Sequence, residues 1–165
     1  MKVKVGNVRD FFRGITLKAA NSRIPRIPVN TVEILIYGAR TILREREEGD
    51  SEDAIVSDTY QFLCKNEDGK EFAASFGTLP KNVLSAFLAL DESDRASFFN
   101  GEMPFALTGM KCVDTYILDA GKRKLNSQGE EIIFTTVVEA NIVPALIYQK
   151  SNPDSKMSAI AADIF

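Results

Sequence analysis

The stretch from residue 31 to 44 (Thr-Val-Glu-Ile-Leu-Ile-Tyr-Gly-Ala-Arg-Thr-Ile-Leu-Arg) constrains this chain most. Val, Ile, Thr and Tyr are frequent in it. Such side chains fit a pleated surface, and the β-branched ones lose rotamer freedom in a helix. The stretch therefore predicts a long strand. Gly38 in its middle predicts a bulge or sharp bend, the usual way one long strand serves two sheets or turns the corner of a barrel. A fold organised around such a strand is mainly β.

The residues downstream extend the pattern. Residues 44–53 form a charged loop, and 54–65 read as a second strand with Val56, Tyr60, Phe62 and Cys64 largely on one parity. Asn66-Glu67-Asp68-Gly69 is a hairpin signal, followed by a third strand over 70–76. Then the period changes. After Thr78-Leu79-Pro80-Lys81, the residues Val83, Leu84, Phe87, Leu88 and Leu90 recur at helical spacing, with Pro in the first turn. Asp91 is expected to open a second short helix that carries Phe98 and Phe99 and closes at Asn100-Gly101. A fourth strand is predicted over 105–118, a basic turn-rich loop over 120–129 and a fifth strand over 131–140. Residues 141–148 read as a sixth strand interrupted by Pro144. Upstream, 8–13 suggests one helical turn and 15–19 a short strand. Arg23-Ile24-Pro25-Arg26-Ile27-Pro28 must be extended, because each Pro biases its predecessor away from helix. The chain thus divides into a basic N-terminal arm over 1–30, a domain over 31–150 and a tail over 151–165.

Composition bounds the chemistry. With 165 residues, 45 % of them apolar, one domain can bury a core. No apolar run approaches membrane-spanning length and the start Met1-Lys2-Val3-Lys4 is no signal peptide, so a cytoplasmic protein with no membrane partner is expected. Cys64 and Cys112 read as buried free thiols. The chain has no His, which removes the imidazole general base, the Ser-His and Cys-His pairs and imidazole metal ligands. Neither a phosphate-cradling Gly loop ending in Lys-Ser/Thr nor a dinucleotide-binding glycine triplet occurs. An enzyme is not expected, nor a cofactor or metal. The net charge of −3 conceals an asymmetry: residues 1–44 carry nine Lys and Arg against Asp10 and Glu33, or +7, leaving −10 for the rest. A basic portion can attract phosphate even on an anionic chain.

The order strand, strand, strand, helix, strand, strand resembles the OB-fold, a five-stranded Greek-key barrel, here with extra terminal segments. The resemblance implies nucleic acid lying across the second and third strands, gripped by the loops joining strands one to two and four to five. The four-to-five loop holds Lys122, Arg123 and Lys124. The one-to-two loop departs from the pattern. Its Glu45, Glu47, Glu48, Asp50, Glu52 and Asp53 would repel phosphate, which suits a partner-binding or gating element. Single-strand binders need flat π faces for bases and cations for phosphates. The chain has no Trp, so the candidates are Tyr37, Tyr60, Phe62, Phe72, Phe76 and Tyr116, with Arg40, Lys65, Lys70 and Lys111 as cations.

The end of the chain, Ala162-Asp163-Ile164-Phe165 after the polar run Ser151-Asn152-Pro153-Asp154-Ser155-Lys156, resembles the acidic, Phe-ended tips of bacterial and phage single-stranded DNA-binding proteins, which recruit replication partners. The Phe165 ring would fill an apolar pocket while carboxylates, including that of Asp163, meet a basic rim. The other reading is a short amphipathic helix docked on the body, since Met157, Ile160, Ala161 and Ile164 fall at helical spacing. Together these features imply a protein that coats single-stranded DNA with little sequence preference during replication or recombination. It would recruit replication or recombination proteins through its tip, in the host cytoplasm if phage-encoded, with its oligomeric state left open. The alternative is a phage interaction module that binds a host protein through the acidic loop and tail. A carboxylate-dependent nuclease would need acids on strands, and most acids here sit in one loop.

Overall fold

The computed structural model describes residues 19–20, 24–43, 57–75 and 78–164. The acidic loop, the first eighteen residues, Phe76 and Phe165 lie outside them. In chain order the strands are β1 (Ala19–Ala20), β2 (Ile34–Leu43), β3 (Ser57–Lys65), β4 (Glu71–Ser75), β5 (Phe105–Tyr116), β6 (Leu118–Asp119), β7 (Lys122–Arg123) and β8 (Ile133–Pro144). The helices are α1 (Lys81–Leu88), α2 (Glu92–Phe99), α3 (Ala145–Ser151) and α4 (Lys156–Ile164).

Five strands form an antiparallel sheet in the order β4-β3-β2-β5-β8, so the chain is mainly β with added helices. No ladder joins β4 to β8 among the described residues, and the sheet is not closed. β2 divides one of its edges: Ile34–Ile36 pair with β5, while Thr41 and Ile42 pair in parallel with β1. The division follows from the bulge that Gly38 predicts. Ile36 faces Cys64 and Gly38 faces Leu63, so one residue of β2 is supernumerary.

That extra residue inverts the side-chain alternation. Before it Ile34 and Ile36 point into the core; after it Ala39 does, paired with the buried Phe62. The same core takes Cys64, Phe72, Ala74, Phe105, Leu107 and Val137 from the other strands, with Val83, Leu84 and Phe87 from α1 and Phe98 from α2. The Phe87 ring lies 5.3 Å from Phe62, 4.9 Å from Phe98 and 5.3 Å from Phe105, within an aromatic cluster. Asp91 caps α2 by accepting a hydrogen bond from Asp94 N at 2.8 Å, as its place before the helical run predicts. Asn82 Nδ2 donates to the carbonyl of Ala140 at 2.6 Å and ties α1 to β8.

The C-terminal segments cover a second apolar cluster. Leu35 and Ala106, neighbours on β2 and β5, pack with Ala145 and Tyr148 of α3 and Met157 and Ala161 of α4. Tyr148 also donates to Glu33 Oε2 at 3.0 Å.

Two predicted elements differ in the structure. The sixth strand over 141–148 does not form: β8 runs unbroken to Pro144 and α3 begins at the next residue. Pro144 has no N–H to continue a ladder, and its ring fixes φ at a value suited to a helix entrance. The loop over 120–129 is partly ordered pairing, since β6 and β7 form a small hairpin turning through Ala120 and Gly121, both at positive φ.

Candidate nucleic-acid interface

Strand alternation sorts the candidate residues. On β3, Phe62 and Cys64 share the core parity, which leaves Gln61 and Lys65 on the other face. Phe62 is fully buried and stacks on Phe87 with an interplanar angle of 19°. Its aromatic partner is the core, and it presents no face to a ligand. Phe72 is buried too, with Lys70 Nζ 5.5 Å from its ring centroid. Tyr60 sits opposite Thr41 at the start of the same sheet region.

Tyr37, Lys65 and Glu71 come together on the outer side of β2, β3 and β4. Lys65 Nζ stands 5.0 Å from the Tyr37 ring centroid, and Tyr37 donates to Glu71 Oε1 at 3.2 Å. Burial of the Tyr37 hydroxyl, reinforced by the Glu71 carboxylate, raises its pKa far above the usual tyrosine value. Arg40 follows on the same strand. The bulge takes it off the core parity of Ile34 and Ile36, and it lies opposite Gln61. Its Nε and Nη2 donate to Gln61 Oε1 at 3.2 and 3.1 Å.

A second group forms at the far end of the β5–β8 hairpin. Arg123 lays its guanidinium over Tyr116, 3.7 Å from the ring centroid, and bridges to Glu131 at 3.2 Å. Lys122 and Lys124 are exposed beside it. The backbone is held by bonds from Ile117 N to Ile132 O and from Lys124 N to Ile117 O. Asn126 closes the next turn by accepting from Gln128 N and Glu130 N. Leu118 and Leu125 stand more than half exposed on this hairpin. Lys111 lies lower on β5 in an exposed pair with Glu139 at 3.1 Å, an arrangement that adds little stability.

The tail residues divide. Ile164 packs partly against the Leu35–Ala106 cluster, Asp163 is exposed, and Phe165 lies outside the described residues. Met157 and Ala161 are buried in the cluster and Ile160 is packed against it, in keeping with the docked-helix reading of that stretch.

Sequence reasoning misses one feature. A cleft of about 270 Å³ lies between the two ends of the sheet, lined by Arg26, Gln61, Ser75, Phe134 and Thr135 among others. The extended arm runs along it. Arg26 makes a parallel bridge to Ala73, with Ala73 N donating to Pro25 O at 3.0 Å, and Arg26 Nη1 reaches Asp114 Oδ1 at 3.3 Å. The Pro spacing signals extended backbone but cannot say which strand it joins.

Among the described residues, no three of Cys, Asp and Glu are placed to hold a metal ion, and no helix is long and apolar enough to cross a membrane. No family model, no curated protein and no solved structure matches the chain.

Proposed function

We propose that this chain is an OB-fold-like single-stranded DNA-binding protein of a phage or plasmid replication system. The observation that carries the reading is the sheet order β4-β3-β2-β5-β8 with two helices between its third and fourth strands in sequence. Such an order is compatible with an OB-like barrel left open between β4 and β8, and it supports the reading on that ground. On this scaffold the outer side bearing Tyr37 and Lys65 is one contact surface, while Arg40 is buried beneath it and bonded to Gln61. The hairpin bearing Tyr116, Lys122, Arg123 and Lys124 lies on the loop joining the fourth and fifth strands of such a barrel.

Such a surface works without sequence readout. Lys and Arg neutralise phosphates and release counterions, while each base stacked on an aromatic face adds about 1–3 kcal/mol. The end of the chain around Asp163 and Phe165 would recruit replication or recombination proteins. Fluorescence anisotropy of labelled oligo-dT across a salt series tests the reading. Tight binding that weakens steeply with salt, and is much weaker for duplex, is the expected outcome; no binding at low salt would sink it.

A second reading is a module that binds a host protein. Leu146 and Ile147 favour it, standing more than half exposed on α3 beside the tail helix. It calls for no salt-sensitive DNA binding at all.

A further inference from the structure

We propose that the outer face of the β5–β8 hairpin docks a second copy of this chain, face to face about a two-fold axis parallel to the strands. The inference does not depend on the single-strand reading.

Side-chain alternation defines the face. Near the start of β5, Phe105 and Leu107 point into the main core, which leaves Ala106 on the outer side with Leu35, where α3 and α4 cover both. The bulge between Thr108 and Lys111 shifts the parity. Beyond it Met110 lies in the core and Cys112 packs against it, so Lys111, Val113 and Thr115 are the outer residues. On β8, Val137 and Ala140 are core residues. Thr136 shares the outer side, because its hydroxyl and that of Thr115 bond each other at 2.7 Å. Phe134, opposite Thr115, joins it. Val138 is the extra residue of a second bulge and also turns outward.

The result is an uncovered apolar strip. Val113 is 44 % exposed, Phe134 38 % and Val138 52 %. Val113 faces Thr136 and so lies diagonally between Phe134 and Val138, which makes the strip continuous. The C-terminal helices shield the sheet at Leu35 and Ala106 and leave these three side chains in water. A continuous apolar strip of this kind marks a contact surface.

Charge identifies the occupant. Lys111 and Glu139 stand side by side at one end of the strip, 3.1 Å apart, with side chains 72 % and 65 % exposed. One cation beside one anion is self-complementary. A two-fold axis parallel to the strands lays β5 of each copy over β8 of the other, so Lys111 of one meets Glu139 of its partner and Thr115 meets Phe134. Aligned sheets pack in this way, and such an isologous contact closes at two copies. A partner of single charge, a phosphate backbone included, would meet one of the two with the wrong sign. The strip is small beside the roughly 20–30 residues that each side of a standard interface contributes, so the dimer should depend on concentration.

Sedimentation velocity of the full chain over a concentration series reads the association. The expected result is a shift from monomer to dimer as concentration rises. Lys111→Glu makes the charged pair all acidic and Glu139→Lys makes it all basic. Each variant alone should self-associate about tenfold more weakly, while an equimolar mixture of the two should dimerise at least as well as the wild type. Recovery in the mixture cannot come from misfolded copies. Val138→Ser should weaken association several-fold with an unchanged melting temperature, since the side chain is on the surface. A wild type that stays monomeric at every concentration would overturn the proposal. So would a dimer indifferent to Val138→Ser and to both charge reversals, or a mixture no more associated than its components. Oligo-dT binding bears on the single-strand reading alone.

Discussion

Tyr37 and Arg40 owe their surroundings to one extra residue in β2. Without the shift between Ile36 and Gly38, Arg40 would share the parity of Ile34 and Ile36 and point a guanidinium into the aromatic cluster. Tyr37 sits at the shift itself and is held against Glu71. Its raised pKa, due first to burial and then to Glu71, has a consequence for stability. Below about pH 10 the hydroxyl is protonated in folded and unfolded chains alike, and the folded state keeps its full advantage. Above that value the unfolded chain ionises while the native residue resists, so stability falls as pH rises. Denaturant midpoints measured from pH 9 to 12 should drop, and Tyr37→Phe should make the drop shallower; an unchanged slope in that variant would refute the assignment. Residue-level legibility was uneven for a related reason. Alternation in the sequence separates Phe62 from Lys65, but it does not say which face is the core. Phe62 and Phe72 read first as core residues and only second as base-stackers, and the core cluster takes both.

Among the elements, α4 bears most on how the tail is understood. The periodicity of Met157, Ile160, Ala161 and Ile164 was legible, as was the acidic end, and the two readings competed for the same residues. The structure buries Met157 and Ala161 over Leu35 and Ala106, so the described part of the tail belongs to the body. Truncation after Ser155 should therefore strip the cover from Leu35 and lower the melting temperature by several degrees, since burying one such side chain is worth about 1.5–3 kcal/mol. A free recruiting tail would leave the melting temperature unchanged. Pro144 shows the opposite kind of error. It breaks strand propensity as the sequence suggests, yet the next element is a helix, because Ala145 and Tyr148 find an apolar seat beside Leu35 that local sequence cannot reveal.

At the scale of the whole molecule, the strand order was legible and the seam was not. Alternation and turn signals identify strands one at a time. The gap between β4 and β8, and the arm along it, depend on where strands far apart in sequence come to rest. The two ends of the sheet should also be its least protected parts. In native-state hydrogen exchange, amides of β4 should exchange faster than those of β2, which is paired on both sides; equal protection would mean that the arm holds β4 more firmly than its one backbone bond, from Ala73 N to Pro25 O, suggests. The shared edge of β2 matters during synthesis as well. Its pairing with Phe105–Leu107 spans a long stretch of chain, so contact order is high and folding correspondingly slow. At ordinary ribosome speeds β2 waits several seconds for that partner, an apolar strand edge open to any other nascent chain. Dependence on chaperones in the cell would thus originate in β2, while the rest of the chain is still being made.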